Sequence, residues 1–103
     1  MSKKEPNGCK ICEAISDSTR VKILQFLIRK YPSAQTITDI EKSLEKPVSA
    51  TTISFHLRKL RDSGLVTTNG HKKGFRALHK ALSIKIDDNG LHVEKEGREV
   101  KNG

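Results

Sequence analysis

Two groups of residues in this chain carry recognisable chemistry. Cys9 and Cys12 have the Cys-x-x-Cys spacing of a zinc or redox pair. A structural zinc needs four donors, and His71, His79 and His92 fall on segments expected to lie far from the cysteines, so neither a metal nor any other cofactor is expected. A thioredoxin-type pair would follow a strand in a βαβ context, which is lacking. Two readings remain open: reduced thiols on a helix face, or a disulfide between the first helices of two subunits, with Cys9 and Cys12 as the candidates. No Ser-His-Asp set, carboxylate pair or Gly-rich phosphate loop stands in a supporting context, so no enzymatic activity is expected.

The second group is SATTISFHLRKLRDSGLV, Ser49 to Val66. Ile53, Leu57 and Leu60 recur at helical spacing on one face, while Thr51, Ser54, Phe55 and Arg58 fall on the opposite one. Ser49 suits the N-cap, and Gly64 after Arg58, Lys59 and Arg61 suits the stop. Small polar residues in the first half permit close approach to base edges. Thr51, Ser54, Phe55 and Arg58 are therefore expected to contact bases, although an exposed Phe55 either meets a thymine methyl or fills a partner surface. His56 sits at the edge of the apolar face, where a packed histidine bonded to a backbone carbonyl is favoured over a base contact.

The charge supports that reading. The net +8 is confined to Lys46–Ile86, where nine lysines and arginines face one acid, Asp62, and the rest of the chain balances. Phosphate binding accounts for such confinement, because each neutralised phosphate releases counterions. The expected backbone contacts are Ser49, Thr52, Lys59, Arg61, Lys72, Lys73 and Arg76. No apolar run reaches the ~18 residues of a membrane span, and the hydrophilic start is unlike a signal peptide, so a cytoplasmic protein with no membrane partner is expected. With no Trp, one Tyr and three Phe, no aromatic-lined pocket for a small-molecule substrate is suggested.

The elements that position these residues follow in order. Residues 1–7 read as a flexible tail. CKICEAI forms a first short helix with Cys9, Cys12 and Ile15 on one side. Asp17 or Ser18 caps a second helix, apolar on nearly every face through Val21, Ile23, Leu24, Phe26, Leu27 and Ile28, which Pro32 ends. Thr36 and Ile37 suit a very short strand, and Thr38 with Glu41 makes a capping box opening TDIEKSLEK, with Ile40 and Leu44 inward. Two short helices before a Gly stop give a helix-turn-helix. LVTT and FRAL then alternate around NGHKKG as a β-hairpin with a basic tip, a wing over 69–75, and LSIKI and LHVEKE alternate around DDNG as a second ribbon over Ser83–Glu96.

The segments SDSTRVKILQFL, TITDIEKSL, SATTISFHLRKLRDSGLV and GHKKGFRAL closely resemble the winged helix-turn-helix of the ArsR-type transcriptional repressors, over roughly Ala14–Leu78. The most specific parts are Asp17-Ser18-Thr19-Arg20 and the pattern Ser49, Thr52, Ser54, His56, Leu57, followed by Leu60 and Gly64-Leu65-Val66. The resemblance implies a dimer on imperfectly palindromic operator DNA, with Thr51, Thr52, Ser54, Phe55 and His56 against the duplex. It does not extend to metal sensing: TDIEKSLEK has neither Cys nor His, and a ribbon stands where other members carry a C-terminal helix with acidic and His ligands.

The fold expected is α+β, a winged helix-turn-helix with three to four helices, a basic β-hairpin wing and a C-terminal β-ribbon or tail. Its divisions are a tail at 1–7, a DNA-binding domain at 8–82 and a hairpin and tail at 83–103. The function expected is that of a homodimeric, sequence-specific regulator on double-stranded DNA, dimerised mainly through its N-terminal helix, with 49–63 in the major groove. The alternatives are a winged-helix protein-interaction module and a thiol- or metal-responsive repressor using Cys9 and Cys12.

Overall fold

In a computed structural model, which describes residues 6–68 and 74–96, four helices precede two separate two-stranded antiparallel sheets. The helices are α1 (Pro6–Ala14), α2 (Ser18–Arg29), α3 (Ile37–Ser43) and α4 (Ala50–Asp62). The strands are β1 (Val66–Thr68), β2 (Phe75–Ala77), β3 (Ala81–Asp87) and β4 (Gly90–Glu96). This is the expected α+β winged helix-turn-helix, with α3 and α4 as the paired helices and β1–β2 as the base of the wing. The wing's tip, including His71, Lys72 and Lys73, lies outside the described residues, as do residues 1–5 and 97–103.

The core is built where the helices' apolar stripes converge. Ile23 and Leu27 from α2, Ile40 from α3, and Ile53, Leu57 and Leu60 from α4 are the largest fully buried side chains. Their spacing, three and four residues apart, is what brings them to one side of each helix. Asp17 caps α2, its carboxylate accepting from the Arg20 backbone N–H at 3.0 Å. Ser49 caps α4 by accepting from the Thr52 N–H at 3.1 Å. The far end of α4 is closed by Gly64 at φ 83°, where the Gly64 N–H bonds to the Arg61 carbonyl and the Leu65 N–H to the Leu60 carbonyl. That pair of bonds needs a residue in the left-handed conformation, which glycine adopts without Cβ strain. It turns the chain directly into β1.

Several local expectations are corrected. The capping box belongs to Thr36 and Asp39, not Thr38 and Glu41: the Thr36 hydroxyl accepts from the Asp39 N–H and the Asp39 carboxylate accepts from the Thr36 N–H, each at 3.0 Å. The short extended piece is Gln35 rather than Thr36–Ile37, because Gln35 and Phe75 exchange backbone bonds of 2.7 and 2.8 Å and fix the chain against β2 just before the cap. The helix that follows ends at Ser43, since Leu44 is extended and packs against the core. On α1 the residues turned fully inward are Ile11 and Ala14; Cys12 and Ile15 are half-buried, and the helix begins at Pro6 within the expected tail.

The second ribbon matches its expected pattern. Ile84 pairs with Val93 and Ile86 with Leu91, and the two-residue Asp88–Asn89 turn leads to Gly90 at φ 125°. Leu82 and Val93 pack against the core, so the base of the ribbon is anchored to the body. Replacing Thr36 by Ala should lower the unfolding free energy by about 1 kcal/mol, the usual worth of such a cap. Thr38→Ala should leave it nearly unchanged. Thermal melts that show the reverse order would return the cap to Thr38.

Candidate nucleic-acid interface

The capped, glycine-terminated α4 presents two chemically distinct faces. Ile53, His56, Leu57 and Leu60 are buried, whereas Thr51, Thr52, Ser54, Phe55, Arg58 and Arg61 are exposed. The exposed face begins with small hydroxyl residues and ends in arginines, so it offers hydrogen-bonding groups at the helix N-terminus and cations along the rest. Phe55 is 47% exposed, large for an aromatic ring on a small protein, and the Lys59 ammonium stands 5.6 Å from its centroid. Lys59 also reaches the Glu13 carboxylate at 3.5 Å. Its side chain lies back over α1, whereas Arg58 and Arg61 stand exposed. The Ser49 hydroxyl donates to Thr52 Oγ1 at 3.0 Å, so these two side chains form one polar step at the start of the helix.

The orientation of α4 is set by a buried guanidinium. Arg20 on α2 is 7% exposed, and its Nε donates to His56 Nδ1 at 3.2 Å. Its Nη1 donates to the carbonyls of Glu13 at 3.0 Å and Ala14 at 3.2 Å. Those carbonyls close α1, where unpaired acceptors and the helix dipole both favour a cation. One side chain thus joins the end of α1, the start of α2 and the middle of α4. Accepting at Nδ1 places the imidazole proton on Nε2, and Nε2 lies 4.0 Å from the Asp17 carboxylate. The expected partner of His56 was a backbone carbonyl; the observed partner is this arginine. From sequence, Arg20 is named only within the Asp17–Arg20 motif and is given no role, although it lies four residues before Leu24 and seven before Leu27, on the buried stripe of α2.

Burial pushes the His56 imidazole below its ordinary pKa of 6.5, with Arg20 acting in the same direction and Asp17 against it. Asp17 itself is held below the usual carboxylate value, chiefly by the Arg20 backbone N–H. Both shifts stabilise the fold in the deprotonated forms. A protonated His56 could no longer accept from Arg20.

The remaining predicted residues are placed less closely together. Arg76 is half-buried on β2, with Nη1 3.4 Å from the Ala77 carbonyl. Cys12 is a free, half-buried thiol, and the Cys9 side chain lies outside what is described. Among the described residues no three His, Cys, Asp or Glu side chains come together as a metal site would require, and no helix is long and apolar enough to cross a membrane.

The sequence that builds this geometry is similar to those of known proteins. The family model described as "Bacterial regulatory protein, arsR family" matches residues 17–68, from the cap of α2 through β1. The chain belongs to the arsR family. It is also 38% identical, over 79 residues, to an uncharacterised HTH-type transcriptional regulator from Methanocaldococcus jannaschii, covering 75% of this chain and 78% of that protein. The arsR-family match includes Arg20, His56 and the whole of α4 but neither α1 nor the ribbon. As an arsR-family protein the chain is a DNA-binding transcriptional regulator rather than an enzyme.

The buried link generates a pH dependence. With the folded pKa of His56 depressed, its contribution is complete above the unfolded value of 6.5 and is lost as pH falls through the folded value. The thermal midpoint should therefore drop between pH 7.5 and 5, and His56→Asn, which keeps an acceptor near the position of Nδ1, should flatten the drop. Arg20→Met should cost about 2–4 kcal/mol by stripping donors from two buried acceptors and a part-buried one. Identical pH profiles for wild type and His56→Asn would remove the histidine from this account.

Proposed function

We propose that the protein binds a specific double-stranded DNA site as a homodimer, with α4 in the major groove and the β1–β2 wing on the flanking backbone or minor groove. The observation that carries this reading is the exposed face of α4, where Thr51, Ser54, Phe55 and Arg58 stand free of the core while the opposite face is locked into it. Arg58 has the fork geometry to pair with a guanine edge, and Phe55 the apolar edge for a thymine methyl. Thr51 and Ser54 are short enough to bond bases directly. Ser49, Thr52 and Arg61 would hold phosphates beside the helix, Arg76, Lys72 and Lys73 would do so from the wing, and Lys59 would join them after leaving Glu13. Two such helices about 34 Å apart enter successive major grooves, which is why a two-fold dimer suits a palindromic site. A protein working on DNA in this way acts inside the cell.

Binding to duplexes selected from a random pool tests the reading. If about six phosphates are neutralised per dimer, log affinity should fall with log salt at a slope near −5. Arg58→Ala should lose about 1–3 kcal/mol chiefly on the preferred site, whereas Lys72→Ala should weaken all sequences alike. Failure to bind any duplex at low salt would overturn DNA recognition in favour of a protein-interaction module.

A further inference from the structure

The apolar pairing of the C-terminal ribbon does not stop where the body does. Cross-strand partners share a face, so Leu82, Ile84, Ile86, Leu91 and Val93 line one side of the ribbon. Leu82 and Val93 are covered by the chain's own core. Farther out, Ile84 is 38% exposed and Ile86 74%, and with Phe55 they are the exposed large apolar residues among those described. The ribbon therefore continues the core's surface beyond the core. An uncovered two-stranded ribbon is marginal in water, so the outer part of this face, at Ile84 and Ile86, calls for an occupant.

Two features at the ends of this face show what the occupant is. Its tip carries Asp87 and Asp88. At its base a cleft is lined by Lys10 of α1, Arg61 of α4 and Lys95 of β4, with Asp62 the acid beside them. Lys95 lies opposite Leu82 and so on the apolar side of the ribbon. Acidic tip, apolar middle and basic base make a surface complementary to itself when reversed. If Ile86 of one copy lies across Ile84 of another, two-fold symmetry brings Asp88 level with Leu82 and hence with Lys95.

We propose that the ribbon is an exchange arm between two copies of this chain: the Ile84–Ile86–Leu91 face packs on its mate, and the Asp88 tip enters the mate's Lys10–Arg61–Lys95 cleft. The apolar patch alone falls short of the roughly 800 Å² per partner that a stable interface buries, which is why the tip and cleft are needed as well. The arm rests on the homodimer reading above and gives that dimer a contact surface in place of one built mainly on α1, whose Ile11 and Ala14 face the chain's own core. It shares Arg61 with the phosphate contacts proposed above and leaves the proposed base-contacting residues Thr51, Ser54, Phe55 and Arg58 free.

Sedimentation equilibrium at micromolar protein and 0.15 M salt tests the arm, with circular dichroism confirming that each variant is folded. Wild type and Ile86→Val should be dimers. Ile86→Lys should raise the dimer dissociation constant at least tenfold, as should Asp88→Lys. Adding Lys95→Asp to Asp88→Lys should recover most of the loss, because the tip-to-cleft charge pair is restored in reverse. A wild-type dimer indifferent to Ile86→Lys overturns the arm while leaving the homodimer and its DNA site standing. A wild type that is monomeric at 100 µM overturns the arm and the homodimer together. A failed charge reversal overturns the tip-to-cleft contact.

Discussion

The arrangement depends on a single buried guanidinium. Arg20 is almost wholly buried, and its Nε and Nη1 donate to His56 and to the last carbonyls of α1. A charge in that position is tolerable only if all its partners stay in place, since leaving it unpaired in the interior is far costlier than the net gain from pairing it. The same requirement that holds the charge also holds three helices in register. Apolar packing alone, through Leu24, Leu27, Leu57 and Leu60, would let α4 rotate by small amounts at little cost. The Nε to Nδ1 bond is directional and removes that freedom.

Rigidity of this kind matters to the proposed function, in which α4 packs by one face and meets DNA by the other. A rotation that exposed part of Ile53 would carry Ser54 and Arg58 away from where a groove could meet them. The Ser49 cap and the Gly64 turn fix the two ends of the helix, and Arg20 fixes its middle. Function in an arsR-family protein is thereby tied to stability through the same few residues. His56, which falls within the same segment by sequence, is buried and bonded to Arg20.

Much of this was legible in the chain because the signals were local. The stripe of Ile53, Leu57 and Leu60, the Gly64 stop and the DDNG turn each declare themselves within a few residues, and each was found where expected. The cap of α3 was not, because Thr36-x-x-Asp39 and Thr38-x-x-Glu41 are equivalent patterns two residues apart. The choice between them is made by the pairing of Gln35 with Phe75, a contact forty residues away in sequence with no local trace. The buried role of Arg20 escapes a sequence reading for a different reason: its residue type suggests solvent, while its spacing with Leu24 and Leu27 places it inside. On α1 the same helical spacing admitted Cys9, Cys12 and Ile15 as the inner face, and Ile11 and Ala14 took that place because α1 packs against α4 and β4.

The central claim is that the face of α4 turned away from the core is the surface that meets DNA. Amide chemical-shift mapping with a selected duplex tests it most directly, because it reports every residue at once without altering any. The account predicts that the largest changes fall on Thr51, Thr52, Ser54, Phe55 and Arg58, with smaller ones in the wing and little in β3 and β4. Changes concentrated on the ribbon or on α1, with α4 unmoved, would contradict it.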